Sequence, residues 1–214
     1  PEVKQYSSGE MMRTKNFYLL LATMFFGLIS YFMVSPVSQT YQIDLGIPSA
    51  VAVSAVMLGS IVNAGARLVL PTLADKVGRI VCIKGVLIVA VIAMGGLFSS
   101  RSLAVTVAVV LMYGCYGGIM GSFPSLTSSI FGMKHTGENY GFVMFGIVFA
   151  TFGAPAISGL VSSNGYEMNV VFGIGAVFAV IAFVCLTLLG RNLVQERKQT
   201  DISEKEKCEP SLEN

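Results

Sequence analysis

Charge is scarce in this chain. Lys, Arg, Asp and Glu together make up 12% of the 214 residues, whereas hydrophobic residues make up 54% and the mean hydropathy is +0.72. Soluble domains ordinarily carry about 25% charged residues. The composition therefore excludes an ordinary soluble domain and favours a protein whose helices lie in a membrane.

Residues that commonly support catalysis or metal binding are also few. The single histidine, His135, lies in a polar turn. Three of the four cysteines lie in apolar stretches (Cys82, Cys115 and Cys185) and Cys208 lies in a charged tail, without the spacing of a disulfide or zinc framework. No nucleophile is paired with a base, and no glycine-rich phosphate loop or basic aromatic face is present. We therefore predict no enzyme activity, no catalytic or metal-binding residue, no cofactor and no binding to nucleic acid.

Six apolar stretches dominate the sequence. A helix needs about 20 apolar residues to cross a hydrocarbon layer about 30 Å thick, and each stretch is continuous and close to that length. The sequence therefore predicts an all-α, polytopic membrane protein. Its six transmembrane helices are expected at residues 17–36, 49–73, 80–98, 103–123, 140–163 and 169–190.

The two ends of the chain are polar. Residues 1–16 are predicted to form a cytoplasmic linker that precedes the transmembrane domain of residues 17–190. Residues 191–214, rich in Lys and Glu, are predicted to form a disordered cytoplasmic tail. The chain begins with Pro1 rather than Met and shows no cleavable signal pattern, which is typical of a fragment boundary.

Basic residues lie at one end of the predicted bundle. They precede the first span, flank the turns after spans two and four, and follow span six, whereas the alternate turns carry only Arg101. By the positive-inside rule, both termini of this multi-pass protein are expected on the cytoplasmic side of the cell membrane. The residues concerned are Lys4, Arg13, Lys15, Lys76, Arg79, Lys84, Lys134, Arg191, Arg197, Lys198, Lys205 and Lys207.

Polar side chains are concentrated in spans one, two, four and five. Spans three and six are almost purely aliphatic and aromatic, so they can face lipid. Polar groups in a membrane prefer the bundle interior or a wet cavity. The four polar spans are therefore predicted to line a pathway, in the order expected of a three-plus-three inverted repeat. Their polar residues are Ser30, Tyr31, Ser35, Ser54, Ser60, Asn63, Arg67, Tyr113, Tyr116, Tyr140 and Thr151.

Span four is rich in glycine. Gly114 with Gly118, and Gly117 with Gly121, form overlapping pairs of small residues four positions apart. This pattern lets a neighbouring backbone approach closely. Pro124 follows and is predicted to interrupt the helix.

One ionisable side chain, Arg67, lies deep within a predicted span. A helix rises about 1.5 Å per residue, so a position eight residues before Asp75 is about 12 Å deep. Such an arginine costs about 2.5–3.5 kcal/mol to insert, so it needs water, an anionic group or a substrate. Because its planar fork matches a carboxylate, we predict that Arg67 binds an organic anion, with Asn63 and Ser60 on the same helical face. The alternative is that Arg67 pairs with an acid or carbonyl groups on helices outside this chain.

The turn at residues 74–79 reads ADKVGR and resembles the Asp-Lys-x-Gly-Arg signature of the major facilitator superfamily. Together with Arg67 and three segments downstream, it makes residues 13–192 similar to the oxalate/formate antiporter family and its monocarboxylate-transporter relatives. The three segments are PSLT at 124–127, FG at 131–132 and NYGF at 139–142. The resemblance implies the carboxy-terminal six-helix half of a twelve-helix bundle, with substrate held between the halves.

The same resemblance implies roles for single residues. Arg67 matches the arginine that binds the substrate carboxylate in that family. Oxalate carriers have a lysine where this chain has Ile147, and proton-linked monocarboxylate carriers have an aspartate where it has Asn63. These departures favour a monocarboxylate such as lactate, pyruvate or formate. They leave open whether transport is proton symport, anion exchange or uniport. Tyr31 and Met144 are expected on the apolar side of the pocket.

The resemblance also implies a gating role for the turn after span two. Asp75, Lys76, Gly78 and Arg79 are expected to lock the cytoplasmic side through charge pairs and helix-end contacts, and so to set the rate of alternation. The alternative is that this turn only anchors the orientation of the chain.

The function predicted from these features is secondary active transport of a small organic anion by alternating access. Besides the anion and the lipid bilayer, the expected partner is a missing amino-terminal six-helix half or a second copy of the chain. The alternatives are a non-transporting six-helix scaffold or truncated product, and anion exchange of the oxalate/formate type.

Overall fold

The structure of the chain, a computed structural model, describes residues 5–99 and 103–208, without the side chains of residues 197 and 200–208. Nearly all of this part is helical, and no strand occurs within it. Several residues that entered the predictions of membrane orientation, chain start or disulfide bonding therefore lie outside the described residues, or their side chains are not described. They are Pro1, Lys4, Arg101, Arg197, Lys205, Lys207 and Cys208.

Nine α-helices occur in the described part of the chain. They are α1 (Ser8–Met11), α2 (Lys15–Val34), α3 (Ser38–Asp44), α4 (Ser49–Val77), α5 (Arg79–Ser99), α6 (Ala104–Phe131), α7 (Thr136–Val143), α8 (Phe145–Ser163) and α9 (Met168–Cys208). A short 3-10 helix, Ser35–Val37, joins α2 to α3.

Six helical segments of this part are long and apolar enough to cross a membrane, which confirms the predicted all-α, six-span fold. Span one combines α2 and α3, span five combines α7 and α8, and the other spans are single helices. Their bounds are Lys15–Asp44, Ser49–Val77, Arg79–Ser99, Ala104–Phe131, Thr136–Ser163 and Met168–Glu196.

Local sequence explains where several helices begin and end. The Thr14 hydroxyl accepts a hydrogen bond from the backbone N–H of Phe17 at 3.2 Å and caps the first turn of α2. Gly78 ends α4 at φ +106° and Gly132 ends α6 at φ +86°. Because side chains disfavour positive φ, glycine is the residue expected at both helix ends.

The prediction that Pro124 interrupts span four is wrong. The helix α6 continues through Pro124 to Phe131. A proline removes a single backbone donor, and membrane helices tolerate this loss because neighbouring groups and local adjustment satisfy the freed carbonyl. Pro71 in α4 and Pro155 in α8 are accommodated in the same way.

The last helix also extends further than the sequence suggested. It continues past residue 190 to Cys208, so residues 191–208 are helical where disorder was predicted. Gln, Lys, Arg and Glu are good helix formers, and the Asn16 side-chain amide donates to both carboxylate oxygens of Glu196 at 3.0 Å. Residues 209–214 lie outside the described part, and their disorder stays a prediction.

The polar segment at residues 5–12 is folded against the turn between spans four and five. The backbone N–H of Tyr6 donates to the Phe131 carbonyl at 2.9 Å, and the Lys134 N–H donates to Gln5 Oε1 at 2.9 Å. The buried Asn139 side chain donates to the Tyr6 carbonyl at 3.1 Å. The segment predicted to be a linker is therefore attached to the bundle over these residues.

The spans pack in the order two, four, three, six, one, five. The helix α6 lies between α4 and α5, α9 lies between α5 and α2, and α8 packs on the far side of α2. A buried hydrogen bond from Ser30 Oγ to the Gly175 carbonyl, 2.9 Å long, joins spans one and six. The apolar core runs through all of these interfaces.

Spans two and five stand at the two ends of this order. Only 11% of the residues in the most apolar stretch of span two are buried, and 22% in that of span five. The corresponding share for span one is 61%. Both spans therefore present long faces that this chain leaves uncovered.

Candidate functional site

The close approach of spans two and four places the candidate site. A Cβ atom added to Gly121 would lie 2.7 Å from the carbonyl oxygen of Arg67, and one added to Gly117 would collide with the carbonyl oxygen of Asn63. At Gly114 an added Cβ would lie 3.0 Å from a Val62 methyl group. The predicted close contact along this glycine face therefore occurs, and it lies beside Asn63 and Arg67, two of the five residues predicted to bind substrate.

The side chain of Arg67, on α4, is exposed within this chain. Its Nε donates to Asn63 Oδ1 at 3.2 Å, and its Cζ lies 5.4 Å from the centroid of the Tyr116 ring. Among the described side chains, no carboxylate forms an ion pair with Arg67. The contact with Asn63 and the cation–π contact with Tyr116 hold one edge and one face of the guanidinium. Its two terminal nitrogen atoms remain for an anion.

Tyr116 belongs to an aromatic group that we call the tyrosine cluster, consisting of Tyr31, Tyr113 and Tyr116. Tyr31 stacks on Tyr116 with ring centroids 4.2 Å apart and meets Tyr113 edge-on at 5.3 Å. The Ser35 hydroxyl lies 3.2 Å from the Tyr31 hydroxyl and 3.4 Å from that of Tyr113. Because these contacts fix all three rings, the cluster forms a rigid support behind the guanidinium.

The structure places a different tyrosine against Arg67 from the one predicted to line the pocket. Tyr31, predicted to line the pocket, is buried behind Tyr116, and Tyr116 makes the contact with Arg67. Tyr113 and Tyr116 were predicted only to lie in a polar span. Their spacing of three residues, which puts both on one helical face, was the signal that could have identified them.

Ser60 lies on the same face of α4 as Asn63 and Arg67 but further along the helix. Its hydroxyl donates to the Val56 carbonyl at 2.9 Å, so the hydrogen bond that it makes is to its own helix. Seven residues separate it from Arg67, about 10 Å along the helix axis. Ser60 is thus outside the contact group of Arg67, Asn63 and Tyr116.

Span five contributes one polar residue, Tyr140, near Arg67 and Tyr116. Tyr140 lies close enough to interact electrostatically with Arg67 and Tyr116. The span divides at Met144, which ends α7 and begins α8 and is 37% exposed. Met144 lies at this break, and Ile147, in the first turn of α8, is partly buried against the core. By the resemblance given above, Ile147 is at the position where oxalate carriers have a lysine.

The turn after span two contains a short charge pair. Arg79 Nη2 lies 3.1 Å from Asp75 Oδ1, and Arg79 Nε donates to the same oxygen at 3.3 Å. Both side chains are substantially exposed, so this pair adds little to stability. Gly78 has no close neighbour at its Cβ position, so positive φ rather than lack of space requires glycine there. Lys76 is exposed beside the pair.

A bundle of six membrane-spanning helices that carries an arginine within one span and leaves two spans largely uncovered is typical of multi-span membrane carriers. Comparison with known families narrows the class. The sequence model of the Major Facilitator Superfamily matches residues 3–150, which is more than half of the chain. The chain belongs to the Major Facilitator Superfamily.

Two curated relatives match at significant similarity. The oxalate:formate antiporter of Oxalobacter formigenes is 27% identical over 213 residues, which cover 96% of this chain and 50% of that protein. The uncharacterized MFS-type transporter YhjX of Escherichia coli K12 is 32% identical over 146 residues, covering 67% of this chain and 36% of that protein. The chain spans half or less of the length of these relatives. Both are named as transporters, and neither name describes an enzyme.

Proposed function

We propose that this chain forms one half of a secondary carrier, completed by an amino-terminal six-helix half, and that the carrier moves small organic anions by alternating access. The uncovered faces of spans two and five support this proposal, because Arg67 lies on span two and these long apolar faces need a partner of similar length. The twofold greater length of the Oxalobacter relative supports a missing half over a second copy. Both termini would lie on the cytoplasmic side, with the basic turns.

The observation that carries the proposal is the Arg67 group. Arg67 lies within span two, its side chain is exposed within this chain, and it forms no ion pair with an acidic side chain of the described residues. A carboxylate bound to the two terminal nitrogen atoms would form two parallel charge-assisted hydrogen bonds. Such a pair in a low-dielectric site offsets the cost of keeping the arginine there. Asn63 Nδ2 lies beside it as a further donor.

We propose a monocarboxylate, such as lactate, pyruvate or formate, as the preferred substrate. The proposed site has one cation, Arg67, and we place the apolar side chains of Met144 and Ile147 on its span-five side. A second carboxylate would lose its water without gaining an ionic partner, which is costly in such an environment. Exchange of oxalate and formate, as the name of the Oxalobacter relative states for that protein, is the competing possibility.

Uptake by vesicles containing the complete protein tests both the function and the selectivity. We expect labelled lactate, pyruvate or formate to be taken up at least about tenfold better than oxalate, since an unpaired charge costs more than about 1.4 kcal/mol. Ile147→Lys should raise oxalate uptake about tenfold, and the uncharged Ile147→Met should not. Native vesicles that move none of these anions would remove the proposal. Preference for oxalate in the native protein would replace the monocarboxylate with a dicarboxylate.

We also propose that the Asp75–Arg79 pair controls the rate of alternation. Asp75→Asn should weaken the attraction of Arg79 for this turn, and it should lower the maximal rate of uptake about three- to tenfold with less than a twofold change in half-saturation. The measurement is initial uptake against substrate concentration. Thr72→Val, one turn earlier on the exposed face of α4, serves as the control. An unchanged maximal rate in Asp75→Asn would assign this turn to orientation alone.

A further inference from the structure

A separate surface feature lies between spans three and six. It is a groove of about 220 Å³ lined entirely by apolar side chains, Ile88, Val91 and Ile92 from α5 with Val180 and Phe183 from α9. The large residues on its rim are exposed, with Ile92 at 65% and Val180 at 46%. In a bilayer this face meets lipid chains, so a hydrocarbon chain is the occupant that its surface suits.

The two helices that form this groove are antiparallel. A Cβ at Gly190 would lie 3.5 Å from Ile80 at one end, and a Cβ at Gly173 would lie 3.1 Å from Phe98 at the other. The end with Ile80 and Gly190 therefore also carries the Asp75–Arg79 turn. One end of the groove therefore lies at a basic turn.

Two cations stand at the basic end. The Lys84 ammonium lies 5.8 Å from the centroid of the Phe183 ring, and Phe183 lines the groove. Arg191 follows Gly190 on α9 and is exposed. Among the described side chains, no carboxylate pairs with Lys84 or Arg191. Lys84 and Ile88 are four residues apart, and Val180 and Arg191 are eleven apart, so each cation continues the helical stripe that lines the groove.

We propose that this groove, with Lys84 and Arg191 at its mouth, is a binding site for an anionic glycerophospholipid. One acyl chain lies against Ile88 and Val180, and the phosphate lies between the two cations. Lys84 is five residues, about 7.5 Å, from the start of α5. Its ammonium lies over the Phe183 ring, within reach of a phosphate that enters from the headgroup layer. Charge selects the lipid and the apolar groove holds its chain.

The lack of tryptophan in this chain permits a direct test. Phe183→Trp places the single indole of the chain in the groove and preserves an aromatic face for Lys84. The purified complete protein, with any tryptophan outside this chain replaced by phenylalanine, is reconstituted in phosphatidylcholine vesicles. Either brominated phosphatidylglycerol or brominated phosphatidylcholine is added in increasing amounts. We expect the indole to be quenched at roughly tenfold lower fractions of the anionic lipid.

A matched control reporter is Phe149→Trp. Phe149 lies in another apolar groove, between spans one and five, whose lining contains no basic residue. Quenching there should not distinguish the two lipids. A second reporter in the proposed site, Val180→Trp, should repeat the preference seen at residue 183.

Charge removal identifies the headgroup contacts. In the Phe183→Trp background, Lys84→Gln and Arg191→Gln should each reduce the preference for phosphatidylglycerol about fivefold, whereas Lys76→Gln, on the exposed turn, should leave it within twofold. Equal quenching by both lipids at residues 180 and 183 would overturn the proposal. So would an equal loss with Lys76→Gln, because the preference would then follow the overall positive charge of this end. The readout requires no transport and is independent of the proposed carrier function.

Discussion

Replacing Arg67 with Gln is expected to lower uptake of the preferred carboxylate by about a hundredfold in vesicles that contain the complete protein. Truncating one member of a desolvated charge pair costs about 2–5 kcal/mol, and about 2.7 kcal/mol corresponds to a factor of a hundred. Gln keeps a hydrogen-bond donor near Asn63 and Tyr116, so packing changes little. Loss of uptake would therefore reflect loss of the cation that the anion binds.

Arg67→Lys separates charge from geometry. Lysine keeps the positive charge but cannot present two parallel donors, so we expect an intermediate loss, about tenfold. Arg13→Gln is the matched control, because Arg13 is an exposed cation that precedes span one. The amount of protein in the membrane is measured for each variant. Uptake by Arg67→Gln at the native level would show that Arg67 does not bind the substrate.

A structural role for Arg67 makes a different prediction from a binding role. If Arg67 pairs with an acid on the missing half, Arg67→Gln lowers the thermal stability of the complete protein in the absence of substrate. If it binds the substrate, stability without substrate is retained, and the stabilisation that substrate gives to the native protein is lost. Thermal unfolding with and without the carboxylate distinguishes the two roles.

Sequence predicted the fold because bilayer physics leaves few choices. A continuous apolar stretch of sufficient length must be helical, since backbone groups in hydrocarbon need partners within the segment. The same reasoning found Arg67, because the cost of a charge within a span makes its position informative. Gly117 and Gly121 likewise identified the helix face that α4 approaches.

Other features depend on contacts between distant parts of the chain. Nothing near Tyr116 in the sequence indicates that its ring lies between Tyr31 and Arg67, because that arrangement follows from how three spans pack. The attachment of Tyr6 to Phe131 is also long-range, and a polar composition alone suggested a linker. The helix through Pro124 shows that local propensity is weaker than the requirement for helical structure within the bilayer.

The contact between spans two and four leads to the second large effect. Gly117→Ala places a methyl group against the carbonyl oxygen of Asn63, a backbone atom that cannot move without moving α4. We expect the two helices to separate, at a cost of about 1–3 kcal/mol, and Arg67 to shift relative to Tyr116. Uptake should fall at least about tenfold, since a displacement of about 1 Å in a binding group has large effects on activity. Uptake and thermal unfolding of the complete protein measure the two consequences.

Gly85→Ala provides the control that separates packing from helix propensity. Gly85 lies within α5, and an added Cβ there would have no atom within 4 Å. Alanine is the better helix former by up to about 1 kcal/mol, so Gly85→Ala should leave uptake unchanged and stability equal or higher. If Gly117→Ala behaved in the same way, the close approach of α4 and α6 would not determine the position of Arg67. A loss confined to Gly117→Ala would connect the small residues of span four to the geometry of the anion site.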